Sequence, residues 1–264
     1  TMKTESDVNN IVSSIEQVLA MFKDVIYGDA MAETNGFIFE PVVVLVDFAD
    51  EFAWPSGSKF TGAFDRSATQ KMNRPVLFIA TDHQAIGIGT SSDESDRARL
   101  HATLAHELQH AAMHYFKEVR ATNPKGEWLA IDEGIAHFIE DLFGYGEEVY
   151  SEFAKPYLLG WVDGTEPIVR DNSVETGLNK VAMARGAPYM LVNYLVAGKG
   201  GVDYKDGVLT GGEGLVWLRN KVTSARTGLD NLTSEIESWN RKVGGFFAAL
   251  ALDGSSAFSI DEGY

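Results

Sequence analysis

His106-Glu107-Leu108-Gln109-His110 places two imidazoles four residues apart, with a carboxylate beside the first. On a helix, residues i and i+4 project from one face, so both histidines can reach a single Zn²⁺ while Glu107 points to where a water on that ion would sit. The chemistry this predicts is metal-assisted hydrolysis of an amide. The ion lowers the water's pKa to about 7, and Glu107 takes its proton and passes it to the leaving amine. A chain this rich in His and Glu yields the pentapeptide by chance about once in a hundred sequences, so the flanking residues decide.

From Arg97 to Phe116, the residues Ala98, Ala102, Leu104, Ala105, Leu108, Ala112, Met113 and Phe116 make a mostly apolar helix without Gly or Pro. The Ser, Asp and Glu residues at 91–96 suit its N-terminus. A catalytic zinc needs three protein ligands and one open position, and His₂Glu is an established set. Glu133, with 22 residues between it and His110, supplies the third ligand from a second helix running from Trp128 to Glu140.

All six histidines, His83, His101, His106, His110, His114 and His137, fall between residues 83 and 137. His114 stands four residues beyond His110, but three histidines at i, i+4 and i+8 span about 12 Å of helix rise, too long for one tetrahedral centre. A site with a third histidine further along the motif needs glycine at position 113 and histidine at 116, and the chain has Met113 and Phe116.

The elements that must position these residues follow from patterning. Val8, Ile11, Val12, Ile15, Val18, Leu19, Phe22 and Ile26 recur with helical period, predicting an opening helix over 8–27. Pro41 to Phe48 and Pro75 to Thr81 read as strands, and residues 55–58 and 62–73 between them as loop. Beyond residue 95 the pattern is mainly helical. The expected fold is α+β, with a small N-terminal mixed sheet and helices, the motif helix at a cleft, and a mainly helical C-terminal lobe. The expected division is 1–116, ending in the motif helix, and 117–264, carrying the Glu ligand.

The net charge of −16 argues against a nucleic-acid partner, whose phosphates demand a cationic face. Without cysteine, any zinc is held by His and carboxylate alone. The longest apolar runs, such as 42–46 and 246–252, are far shorter than the ~20 residues that span a bilayer, so no transmembrane segment is expected. The first residues show no signal peptide.

His106-Glu107-Leu108-Gln109-His110 paired with Trp128-Leu129 and Asp132-Glu133-Gly134 resembles the gluzincin peptidases. The continuation Glu140-Asp141-Leu142-Phe143-Gly144-Tyr145-Gly146 is similar to the hyicolysin-type bacterial metallopeptidases, as are Gly62-Ala63-Phe64 and Gly186-Ala187-Pro188-Tyr189. The resemblance covers roughly residues 60–200. It implies a zincin-like fold and a secreted or cell-surface bacterial zinc endopeptidase acting on peptide or protein. It also implies that the substrate lies along an edge strand, for which 75–81 is the candidate.

The chain departs from that pattern in three places. Asp132 stands where the motif has Asn. His137 occupies the position four after Glu133, where related enzymes carry an orienting Asp, leaving Glu140 or Asp141 for that role. Met183 replaces the Tyr that aminopeptidase-like relatives place before a Lys-Gly pair, here Arg185-Gly186. Tyr189 is the expected transition-state donor, with Tyr194 second. An aminopeptidase and a zinc-binding adhesin of this fold without turnover remain as alternatives.

Overall fold

The opening periodicity produces helix α1, Glu5–Met21, which runs on into a π turn at Phe22–Ile26 and a 3-10 turn at Gly28–Met31. Phe22 and Ile26 are buried, so the apolar face read from sequence does pack inward. The computed structural model describes residues 5–31, 38–46, 62–80, 94–146 and 178–234, with parts of 241–248.

The β-branched run at the next segment forms β1, Val42–Val46. Residues 62–73 differ from the loop that their composition predicts. They hold a short strand, β2, Gly62–Phe64, and a helix, α2, Arg66–Met72. Asp65 caps that helix by accepting from the Ala68 N–H at 2.8 Å, and Asn73 ends it in the left-handed conformation at φ 51°. Strand β3, Val76–Ala80, pairs parallel with β1 on one side and antiparallel with β2 on the other. It is therefore interior, which corrects the expectation that 75–81 is an edge strand, Thr81 itself lying outside the described residues. Its continuous Val/Leu/Ile run, with Leu77, Ile79 and Ala80 at 0% exposure, belongs to a strand covered on both faces. In this three-stranded sheet the edges are β1 and β2.

The motif segment forms helix α3, Glu94–His114, continued by a π turn at Tyr115–Val119. Helix α4, Leu129–Glu140, carries Glu133 and ends in a third π turn, Asp141–Tyr145. Helix α5, Leu178–Ala197, lies against α4, and the hairpin of β4, Asp203–Lys205, and β5, Val208–Gly211, leads into α6, Glu213–Thr223, and α7, Gly228–Thr233. One buried apolar cluster runs from Val18 and Phe22 through Leu77 and Leu108 to Ile135, Leu191 and Leu218. No helix among the described residues is long and apolar enough to cross a membrane.

Two contacts fix the helices that matter. A Cβ on Gly134 would lie 2.6 Å from Pro188 Cβ and 2.7 Å from its carbonyl carbon, so α4 and α5 touch backbone to ring and only glycine fits. At the far end of α3, the fully buried Lys117 ammonium donates to the carbonyls of Lys221, Ser224 and Arg226 at 2.8, 2.7 and 2.5 Å. Glu127 lies 3.5 Å from the same ammonium, and accepts from the Gly228 N–H and from Asn231 Nδ2. This ionic clasp ties the α3 extension, the segment entering α4, and the α6–α7 corner together.

Replacing Lys117 with Met removes one partner of a buried pair and is expected to cost about 3–5 kcal/mol in urea denaturation. Burial pulls the Lys117 ammonium from its ordinary 10.5 down to about 8, with Glu127 opposing. Between those values the unfolded chain holds a proton that the folded chain has released. The stability of wild type relative to Lys117→Met is therefore expected to rise as pH is raised from 8 to 10.5.

Candidate metal centre

Helix α3 turns His106, Glu107 and His110 toward α4, and α4 answers with Asp132, Glu133, His137 and Glu140. The i, i+4 spacing puts the two α3 imidazoles side by side, ring centroids 4.7 Å apart, with their Nε2 atoms 3.0 Å from each other. Glu133 faces them, Oε2 3.6 Å from His106 Nε2 and Oε1 3.9 Å from His110 Nε2. Four ligands held tetrahedrally at about 2.0–2.2 Å lie about 3.3–3.6 Å apart, so separations of 3.0, 3.6 and 3.9 Å bring the three groups within a few tenths of an ångström of what one ion requires.

The opposite nitrogen of each ring has its own carboxylate. His106 Nδ1 lies 2.5 Å from Glu140 Oε1, and His110 Nδ1 lies 3.0 Å from Asp132 Oδ1. A carboxylate beside Nδ1 is the arrangement that orients a metal-ligating histidine, because a proton held on Nδ1 leaves Nε2 free to bind the ion. The two Nε2 atoms, 3.0 Å apart, share a hydrogen bond when one ring carries the proton, and a cation placed between them would take that proton's place. Glu133 Oε2 adds to the demand. It is buried, and at 3.6 Å from His106 Nε2 and 3.8 Å from His137 Nε2 it is beyond hydrogen-bond reach of either.

Charge makes the same case. The carboxylates of Glu107, Asp132, Glu133 and Glu140 are crowded against imidazoles and, among the described residues, a single guanidinium, Arg185, whose Nη2 is 3.3 Å from Glu133 Oε1. Burial opposes ionisation of His106, yet Glu140 and Glu133 hold its imidazolium well above the usual range. His110 is raised in the same way, with Asp132 acting against burial. Burial likewise works against the Glu133 carboxylate, but His106, Arg185 and His110 keep it ionised well below the usual value. A region that draws this much positive charge into the interior fits a divalent cation.

Glu107 is buried but is not one of the three convergent donors. Burial pushes its carboxyl up, while His106 and His110 and a hydrogen bond from the Phe64 N–H of β2 pull it down. A Cβ on Gly62 would lie 3.0 Å from Glu107 Cγ and 2.7 Å from Thr103 Cγ2, so β2 presses directly on the motif helix beside this carboxylate.

The structure thus brings His106, Glu107, His110 and Glu133 together, and it settles which carboxylate reaches His106. Glu140 takes that place and also lies 3.2 Å from His137 Nδ1. Asp141 instead accepts from the Tyr189 hydroxyl at 2.9 Å. Tyr189 is buried with that hydroxyl turned to Asp141, and Tyr194 packs its ring on Phe246 at 5.6 Å. His114 pairs with Glu118 at 3.2 Å, away from the convergent donors, as helix geometry predicts. His83 and the Met183 side chain lie outside the described residues.

Two participants escaped sequence reasoning. Asp132 was legible, because a carboxylate next to a ligand on a helix turns by about 100° and can reach the neighbouring imidazole. Arg185 stands in the sequence only as the counterpart of the Lys in a Lys-Gly pair, and nothing local places it on Glu133.

Glu140→Gln is expected to weaken metal affinity about 10–100-fold, measured by competition with a chromogenic chelator. Asp141→Asn, whose carboxylate faces Tyr189, is expected to shift it far less. Among known proteins, no family model matches the chain and no curated protein sequence matches it.

Proposed function

We propose that the chain is a zinc-dependent endopeptidase of gluzincin type, with a zincin-like fold, secreted or held at a cell surface and acting on peptide or protein substrates. The observation that carries the reading is the convergence of His106 Nε2, His110 Nε2 and Glu133, each imidazole backed by a carboxylate, with a buried Glu107 beside them. Two imidazoles and one carboxylate without any thiolate suit zinc in a catalytic role, where three protein ligands leave one position open.

His106, His110 and Glu133 are the residues that hold the ion, and Glu140 and Asp132 fix the two rings. When bound, zinc supplies a Lewis acid that polarises a carbonyl and makes water acidic enough to react near neutral pH. Glu107 accepts the proton from water at its carboxylate, the water oxygen bonds to the carbonyl carbon, and the same proton goes to the amide nitrogen as the C–N bond breaks. The raised Glu107 carboxyl suits a group that must both take and release a proton.

Strand β2 is the element that supports an extended substrate. It lies at the edge of the described sheet and borders Glu107 through Gly62 and Phe64. A peptide laid along it by strand addition passes the general base. One observation favours a second reading, a zinc-binding module of this fold without turnover: the Tyr189 hydroxyl is engaged by Asp141.

Glu107→Gln separates the two. The variant is expected to keep one zinc per chain while internal cleavage of a peptide library, followed by mass spectrometry, falls about 10²–10⁴-fold. Stoichiometric zinc in a wild type that cuts nothing supports the binding module, and stepwise loss of N-terminal residues supports an aminopeptidase.

A further inference from the structure

We propose that Arg185 donates to the carbonyl oxygen of the scissile bond as that oxygen becomes negative, the task that Tyr189 is expected to perform on sequence grounds. The inference rests on the endopeptidase reading and supplies the electrophilic residue it lacks.

Position is the first argument. The Gly134–Pro188 contact fixes α5 against α4 at a single register. Arg185, three residues before Pro188, is then one turn away on α5 and meets Glu133, which directly precedes Gly134 on α4. Its Nη2 is 3.3 Å from Glu133 Oε1, the oxygen that lies 3.9 Å from His110 Nε2. One carboxylate oxygen therefore stands between the guanidinium and the convergent imidazole nitrogens.

Exposure is the second. The Arg185 side chain is 25% exposed, while those of His106, His110 and Glu133 are 11%, 14% and 10%. The guanidinium is thus the more solvent-accessible group beside the donors, open to a substrate carbonyl that reaches them. Glu133 anchors it, so its charge is placed before the reaction begins and need not reorganise during it.

The third argument concerns the rival donor. The Tyr189 hydroxyl donates to Asp141 Oδ2 at 2.9 Å, and burial together with Asp141 keeps that phenol protonated far above its ordinary range. Its one O–H is therefore already committed to Asp141.

The step balances without further reactants. The water oxygen forms a bond to the carbonyl carbon, the π electrons move to the carbonyl oxygen, and an Arg185 N–H donates to that oxygen without leaving nitrogen, since the guanidinium does not deprotonate. The water proton goes to Glu107 and then to the departing nitrogen. When the C–N bond breaks, the oxygen's electrons return to re-form C=O.

The test uses the zinc-loaded full chain as wild type, Arg185→Met, Arg185→Lys and Tyr189→Phe. Two readouts are taken: kinetics on an internally quenched peptide, and calorimetric binding of a phosphinic pseudotripeptide, whose tetrahedral anion mimics the attacked carbonyl. Arg185→Met is expected to lower kcat about 10²–10³-fold with KM little changed, and to lose phosphinic affinity by a similar factor, at one zinc per chain. Arg185→Lys, which keeps the charge, is expected to recover part of both. A rise in KM with kcat unchanged overturns the proposal, because Arg185 then grips the ground state. Loss of zinc in both Arg185 variants also overturns it, assigning the residue to positioning Glu133. So does a phosphinic-affinity loss in Tyr189→Phe with none in Arg185→Met. A wild type that cleaves no peptide sinks the endopeptidase reading instead, and Arg185 is then judged by calorimetry alone, where equal phosphinic affinity of wild type and Arg185→Met contradicts the proposal.

Discussion

The Nε2 atoms of His106 and His110 face each other at 3.0 Å, and the rest of the site is arranged around that opposition. Helix geometry alone puts the rings side by side. A carboxylate beside each outer nitrogen, Glu140 for one and Asp132 for the other, aims both Nε2 atoms inward. Both carboxylates come from α4, the helix that also brings Glu133. One helix therefore supplies two nitrogens, and its neighbour supplies both the third donor and the groups that aim the first two. The pairing of α3 with α4 is the constraint from which the chemistry follows.

Keeping these groups in the interior is costly for an apo chain. The carboxylates removed from water with these imidazoles must find opposite charge or remain uncompensated, and among the described residues of the cluster Arg185 is the one permanent cation. The surrounding fold carries that cost through tight contacts elsewhere. Gly134 against Pro188 leaves no room for α5 to shift on α4, and Lys117 binds three carbonyls and Glu127 beyond the end of α3. Beside the motif, Gln109 is fully buried and accepts from the Tyr27 hydroxyl at 2.5 Å, which ties the end of the π turn after α1 to the flank of α3 next to the ligands. A bound dication adds its affinity to this scaffold, since folding and metal binding are linked.

Much of the site is legible in the sequence because it is local. Two ligands share one helical face at a spacing of four, and Glu133 stands in a second run with clear apolar periodicity, so α3, α4 and the three donors follow from spacing and periodicity alone. Glu140 lies two turns beyond Glu133 and shares its face, which allows it to be named as a candidate but not chosen over Asp141. That choice depends on Tyr189, which draws Asp141 away. Strand β2 and helix α2 are invisible to periodicity because they are only three and seven residues long; pairing with β3 makes the one and the Asp65 cap the other. The order β1-β3-β2 is a long-range outcome, and so is the contact of Arg185 with Glu133 across 52 positions. Sequence spacing has no means of expressing either.

The most direct test of the metal centre is zinc K-edge absorption spectroscopy on the purified, metal-replete chain. The account predicts one zinc per chain with two imidazole nitrogens and a light-atom shell at about 2.0–2.2 Å from carboxylate and solvent oxygen, and loss of one imidazole in His110→Ala. Zinc well below one per chain, or a spectrum requiring three imidazoles with His137 in place of Glu133, contradicts it.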